Sequence, residues 1–219
     1  MNQSCLVVGA GPGIGQAVAQ AFALEGLDVA LMSRNPAKLA DACSEIRKST
    51  GRQARAYTAD AGNDASLRAT LAKASKDLGE PEVLVFNAAT SQMGKPTTIP
   101  TERLLAEFQA NVAGALTCAK AVAPGMVERR RGTILFTGGG FAYEPAAEYA
   151  SLSLCKAALR SLTYTLAQEL GMYGVHVATV TVHGFVQTGT KFDPHQIAGS
   201  FVQLHRQPKG HFDIELIYK

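Results

Sequence analysis

The strongest constraint on the fold of this chain is its strict alternation between short, β-rich apolar runs and longer segments of helical periodicity. The runs are SCLVVG, DVALMS, ARAYTA, EVLVFN, GTILFTG, VHVATVTV and finally FDIELIY. Between them, apolar residues recur at spacings of three and four over Ile14 to Leu24, Pro36 to Lys48, Ala65 to Leu78, Glu102 to Val127 and Ser151 to Leu170. Parallel neighbours need a crossover connection, and right-handed crossovers lay a helix back on the sheet. The near-continuous apolar character of the runs fits strands covered on both faces. The expectation is an α/β fold in one domain, residues 1–219: a doubly wound sheet of about seven parallel strands with helices on both faces.

Composition narrows the class of function. A length of 219 residues with 47% hydrophobic and 18% charged residues suits a single globular core. The formal charge of +3 is too small to argue for nucleic acid. The run Arg129-Arg130-Arg131 falls at the end of a predicted helix, where cations complement the dipole. Cys5, Cys43, Cys118 and Cys155 form no C-x-x-C pair, and the five histidines show no ligand spacing, so no metal site or disulfide framework is expected. The first residues carry no basic leader and no apolar span reaches about 18 residues, so neither export nor a membrane is expected and a cytoplasmic location fits best.

VVGAGPGIG runs from a strand straight into a helical pattern, with Gly9, Gly13, Ile14 and Gly15 at the turn. Glycines there allow a tight turn and close approach of backbone to phosphate, and the helix start offers free N–H groups to a pyrophosphate. This is the context of a Rossmann-type dinucleotide site. The end of the second strand selects the cofactor: an acidic residue there favours NAD, an arginine the 2′-phosphate of NADP. Asp28 comes too early, while Ser33 and Arg34 occupy the deciding place, so NADP(H) is favoured over NAD(H).

These segments, with others in the same order, resemble the short-chain dehydrogenase/reductase family over nearly the whole chain. GAGPGIG is similar to that family's T-G-x-x-x-G-I-G turn, and TADAGN carries Asp60, with Ala61 beside it, at the position that typically holds adenine. VFNAAT resembles the N-A-G motif through Asn87, Ala88 and Ala89; NVAGAL matches the segment with the supporting asparagine, here Asn111. HGFVQT resembles the P-G-x-V-x-T stretch over the nicotinamide, with His183 for proline and with Val186 and Thr188 retained.

The resemblance implies a serine, a tyrosine and a lysine acting on a carbonyl or alcohol, the tyrosine as acid or base and the lysine lowering its pKa while holding ribose. Lys156 is retained, but the tyrosine position is Leu152 and the serine position is Gly139. Tyr149 precedes Lys156 by seven residues, about 10.5 Å along a helix rather than about 6 Å, and is the displaced-acid candidate, with Tyr143 in the loop beyond the glycines as another; the unassisted Ser153 hydroxyl, about 100° around the helix from the motif position, is too weak an acid. Gly138 to Gly140 reads either as a flexible loop or as a nest of N–H groups for an oxyanion. Only GTKFD, residues 189–193, separates Thr188 from the next helical pattern, so the family's substrate-binding segment is shortened. Two readings stay open: an oxidoreductase with a non-standard proton donor (Tyr149, Tyr143 or water), or a nucleotide-binding pseudoenzyme acting as sensor or scaffold. The resemblance also implies a homodimer or homotetramer built on the long helices, with Leu104, Leu105, Phe108, Leu159, Leu162 and Leu166 as interface candidates.

Overall fold

A computed structural model describes residues 3–219. Seven strands form one sheet: β1 (Gln3–Val8), β2 (Asp28–Ser33), β3 (Ala54–Thr58), β4 (Glu80–Phe86), β5 (Gly132–Gly139), β6 (Val175–Val182) and β7 (Glu215–Tyr218). Every pairing is parallel, in the order β3-β2-β1-β4-β5-β6-β7. The helices are α1 (Ile14–Leu24), α2 (Ala40–Thr50), α3 (Asp64–Leu78), α4 (Thr101–Phe108), α5 (Gly114–Arg129), α6 (Ala150–Gly171) and α7 (Pro194–His205).

Alternating side chains of each strand feed two cores. Val7, Val29, Leu31, Val85 and Val180 pack with Phe22 and Phe201 of α1 and α7 on one face. Leu6, Leu84, Phe86, Ile134 and Phe136 pack with Leu67, Cys118, Met126 and Leu159 of α3, α5 and α6 on the other. Because strand order reverses direction between β1 and β4, the connections on either side part there and leave a crevice beyond the carboxyl ends of the strands. The carboxyl edge of the sheet is therefore where the site is sought.

The helical pattern from Glu102 to Val127 is not one helix. A π-helical turn, Gln109–Ala113, separates α4 from α5, and its physical anchor is Asn111, whose amide bonds the backbone of Thr90 at both ends. Pro36–Leu39 likewise forms a 3₁₀ turn before α2. The six interface candidates do not share a face: Leu159 and Leu166 are buried in the core, whereas Leu105 and Phe108 are 63% and 40% exposed. The arginine run is tied by specific ion pairs, Arg129 to Glu80 at 2.8 Å and Arg131 to Glu82 at 3.0 Å.

All four cysteines are buried and free. No described helix is long and apolar enough to cross a membrane. Among the described residues no three His, Cys, Asp or Glu side chains are grouped to hold a metal ion.

Candidate functional site

The turn after β1 is shaped by what glycine lacks. Gly9 has φ of 86°, and a Cβ there would stand 2.3 Å from the Ala88 nitrogen. Its N–H donates to the Met32 carbonyl at 2.9 Å, and its carbonyl accepts from Asn87 Nδ2 at 2.8 Å. Gly15 packs against the Gly9 carbonyl with the same absence of clearance. Gly13, with φ of 104°, precedes Ile14, the first residue of α1; no side chain caps that helix and its first turn holds no acidic residue. The free N–H groups and the positive dipole end thus face outward, the arrangement that binds an anion.

Beside this turn lies a cleft of about 320 Å³, lined by Gly9, Ser33, Arg34, Asp60, Ala61, Asn87 and Ala88, all expected from the sequence. Val8, Gly11, Ala59, Ala89, Thr90 and Ala110 complete it. Arg34 is exposed and pairs with no carboxylate among the described residues, so its guanidinium is available at the rim. Asp28 stands at the opposite end of β2, where it pairs with Arg52 at 2.8 Å and accepts from the Gln53 N–H at 3.0 Å. Asn87 donates to the Gly9 carbonyl and accepts from the Thr137 hydroxyl, each at 2.8 Å, fixing the cleft wall. Asp60 accepts from the Gly62 N–H at 3.0 Å. Gly13 and Thr188 line a second hollow of about 400 Å³ with His195, while Val186 is 44% exposed and borders neither. These groups fit a dinucleotide: a turn with no room for a Cβ, an uncapped helix start, and an unpaired arginine.

Lys156 is linked to the cleft wall through Thr137, whose hydroxyl donates to Asn87. Its Nζ donates to the Thr137 carbonyl at 2.7 Å, and burial pulls its pKa down to about 8. Its methylenes lie along Gly139, where a Cβ would sit 3.4 to 3.6 Å from them. Leu152, one turn earlier on α6, is half-buried. Asn111 is buried in the π-helical turn, its oxygen accepting from the Thr90 N–H and its nitrogen donating to the Thr90 carbonyl, both at 2.7 Å. Its side chain therefore positions the loop after β4. Such turns recur at functional sites because they displace one residue of a helix from its usual register.

The alternative acids are placed less favourably. Tyr149 lies outside the helix, as the N-cap of α6, with its ring stacked on Phe141 at 5.4 Å between centroids. Tyr143 does not fold over the site: its hydroxyl donates to Glu215 at 2.7 Å and accepts from Arg160 at 2.9 Å. Burial and the Glu215 carboxylate push its pKa up, the wrong direction for an acid. The Ser153 hydroxyl is engaged with the Tyr149 carbonyl and the Ala146 N–H. Neither reading of the three glycines holds. Gly138 and Gly139 continue β5 in register with Thr181 and Val182, and none of the three has the positive φ that a nest requires. A Cβ on Gly138 would stand 2.6 Å from the Thr181 hydroxyl oxygen, so close strand packing explains it.

Two clusters escaped sequence reasoning because their partners are far apart in the chain. Glu215 gathers Arg160, Tyr143, Tyr164 and Thr181. Buried Glu107 of α4 accepts the hydroxyl of Ser151 on α6 and the Gln92 N–H. The first ties the segment after β5 to β7, and the second ties the loop after β4 to α6. The ring of His183 lies against Gly140 and 5.6 Å from that of Tyr143.

The lowered pKa of Lys156 has a consequence for stability. Between about pH 8 and the ordinary value of 10.5 the unfolded chain binds the proton that the folded chain has lost, so stability rises with pH across that window. Lys156→Met is therefore expected to be about 1–3 kcal/mol more stable than the parent at pH 7. Urea denaturation at pH 7 and pH 10.5 checks this: the gap should close at the higher pH, and a variant less stable at both would contradict it.

Comparison with known proteins agrees with this geometry. The family model described as short chain dehydrogenase matches residues 3–194. A 2,3-dihydro-2,3-dihydroxybenzoate dehydrogenase of Bacillus subtilis is 31% identical over 175 residues, 80% of this chain and 67% of that protein. The oxidoreductase UcpA of Escherichia coli is 31% identical over 194 residues, 85% of this chain and 70% of that protein. Among solved structures, a metagenomic short-chain oxidoreductase in complex with NADP superposes with a TM-score of 0.90 at 27% identity, covering 98% of this chain and 96% of that one.

Proposed function

This chain belongs to the short-chain dehydrogenase family, and from that premise we propose that it is an NADP(H)-dependent oxidoreductase acting on a carbonyl or secondary alcohol, with a proton donor other than the family's usual tyrosine. One observation carries the reading: the Lys156 ammonium and the Asn87 amide both bond Thr137, one its carbonyl and the other its hydroxyl. Thr137 thus joins the cationic group to Asn87, a lining residue of the cleft that fits the dinucleotide.

In this reading Arg34 and Ser33 hold the 2′-phosphate, the N–H groups at Gly13, Ile14 and Gly15 hold the pyrophosphate, and Asp60 and Ala61 flank the adenine. Gly9, Asn87 and Ala88 form the wall, and Val186 and Thr188 border the nicotinamide end with Lys156. The bound dinucleotide would supply a hydride to the carbonyl carbon. Asn111 acts as a positioning residue through Thr90. The NADP in the metagenomic relative supports the same cofactor here. Arg34→Asp is expected to weaken NADPH binding about 10- to 100-fold while leaving NADH unchanged or tighter. Fluorescence titration of both nucleotides checks it, and an unchanged preference would remove Arg34 from the account.

Only Gly189 to Asp193 lies between Thr188 and α7, which leaves the substrate side open and suits a bulky substrate, though with less exclusion of water. Leu152 in front of Lys156 favours a second reading, a nucleotide-binding protein without turnover. A screen of aldehydes and ketones with NADPH separates the two, since the second reading requires tight NADPH binding and no cofactor oxidation. Four free, buried thiols suit a reducing compartment such as the cytoplasm. Exposed Leu105, Phe108, Leu116 and Leu154 on α4, α5 and α6 are the apolar surface on which a homodimer or homotetramer would form.

A further inference from the structure

We propose that His176 is a proton-operated latch: when it takes up a proton, residues 207–213 and the start of β7 come away from the rest of the sheet. The latch lies at the amino edge of β5 and β6, at the opposite end of the sheet from the dinucleotide cleft.

His176 is fully buried on β6, and its Nε2 stands 2.8 Å from the Asp213 carbonyl oxygen. A carbonyl only accepts, so the neutral ring carries its proton on Nε2 and leaves Nδ1 a bare lone pair. That Nδ1 is buried and has no hydrogen-bond partner among the described residues. The ring also stacks on Phe212, with centroids 4.3 Å apart and planes within 4°. These two contacts fasten successive residues of the connection between α7 and β7. The connection is braced within itself, since the Gln207 side chain bonds Asp213 through its nitrogen at 2.6 Å and its oxygen at 2.8 Å. It feeds an edge strand of four residues, none of them fully buried, so little apolar burial opposes its release.

Burial holds the His176 ring below the ordinary histidine value of 6.5, outweighing the Asp213 and Leu204 carbonyls and the Asp213 carboxylate, which favour the cation. His205 of α7, its Nδ1 2.8 Å from the Thr133 hydroxyl, is also lowered by burial and competes with His176 for a proton. The carboxylates facing His205 are already paired, Glu82 with Arg131 and Glu25 with Arg206, and the Lys209 ammonium lies over Gly174. Once the connection lifts, the solvated ring binds its proton at the ordinary value. The open form thus holds a proton that the closed form refuses, and the open fraction rises as pH falls below 6.5.

The opening has a stop. Glu215 of β7 is held by Arg160 at 2.9 Å and by the hydroxyls of Thr181, Tyr143 and Tyr164. Against the effect of burial, these contacts keep its carboxyl below the usual range, so it stays ionised while the latch opens. The far end of β7, where the His183 N–H donates to the Tyr218 carbonyl, stays closed.

Nuclear magnetic resonance tests this on the protein without nucleotide, so the result is independent of the function proposed above. His176 is expected to titrate below 6.5. Hydrogen-exchange protection of the Thr179 amide, which donates to the Ile214 carbonyl, is expected to fall at least about tenfold between about pH 7.5 and about pH 5 after correction for intrinsic rate. Protection at His183 should change less than about twofold. His176→Gln keeps a donor for the Asp213 carbonyl but takes up no proton, and is expected to hold Thr179 protection constant within about twofold over the same range. His205→Gln should retain the response of the parent. A His176 that titrates at or above 6.5 in the parent overturns the proposal whether or not the variants fold. So does a fall in Thr179 protection that is absent from the parent or equal in His176→Gln.

Discussion

Placing tyrosine at Leu152 and serine at Gly139 in the same chain will raise carbonyl reduction about 100-fold or more over the parent. Both positions accept the change. Gly139 has φ of −162° and ψ of 150°, extended backbone open to any residue, and its Cβ would make ordinary contacts with Lys156 at 3.4 to 3.6 Å. Leu152 is half-buried one helical turn before Lys156, so a phenol there shares the face of the ammonium. General acid catalysis by a positioned group contributes about 10² to 10⁴ in rate. The single changes should give less than the pair, because the serine and the tyrosine act on the same oxygen. Steady-state kinetics of the four chains check this; a double variant no faster than the parent would mean that the substrate does not sit at Gly139.

The second large effect is structural. Gly9→Ala puts a Cβ 2.3 Å from the Ala88 nitrogen and 2.5 Å from its Cα, on a residue whose φ is 86°. Backbone must move, and the pieces that move are the end of β1 and the residues after β4, which both line the cleft. The expected cost is about 3–5 kcal/mol from overpacking together with an unfavourable dihedral. That is roughly a 10 °C drop in Tm for a chain of this size. NADPH affinity is expected to fall at least about 100-fold in the fraction that remains folded. Calorimetry and fluorescence titration measure the two effects, and normal affinity in a stable Gly9→Ala variant would dissociate the turn from the cofactor.

The sheet was legible because five of its seven strands, all but β3 and β7, are largely buried on both faces and so read as mainly apolar runs; β2 and β6 match their runs residue for residue. The glycine turn was legible because the requirement for no side chain is written in one residue type. The π-helical turn was hidden, since apolar periodicity continues across Gln109–Ala113 and the cause, the bond between Asn111 and Thr90, is tertiary. Tyr143 could not be placed for the same reason. Its partner Glu215 is 72 residues away, on the last strand. Periodicity also could not divide the leucines of α4 from those of α6 between surface and core: Leu105 and Leu166 have the same chemistry, and only helix packing separates them. Asn87 lines the cleft as expected, and its hydrogen bonds to the turn and to Thr137, which come from distant segments, could not be read from the sequence.

The central claim is that an intact dinucleotide cleft still delivers a hydride in a chain with leucine and glycine at positions 152 and 139. The direct measurement is mass spectrometry of the alcohol formed from a panel of ketones and aldehydes incubated with this protein and NADPH carrying deuterium on the nicotinamide C4. The account predicts one deuterium on the former carbonyl carbon. Tight NADPH binding with no deuterium in any product would contradict it and leave a protein that holds the nucleotide without using it.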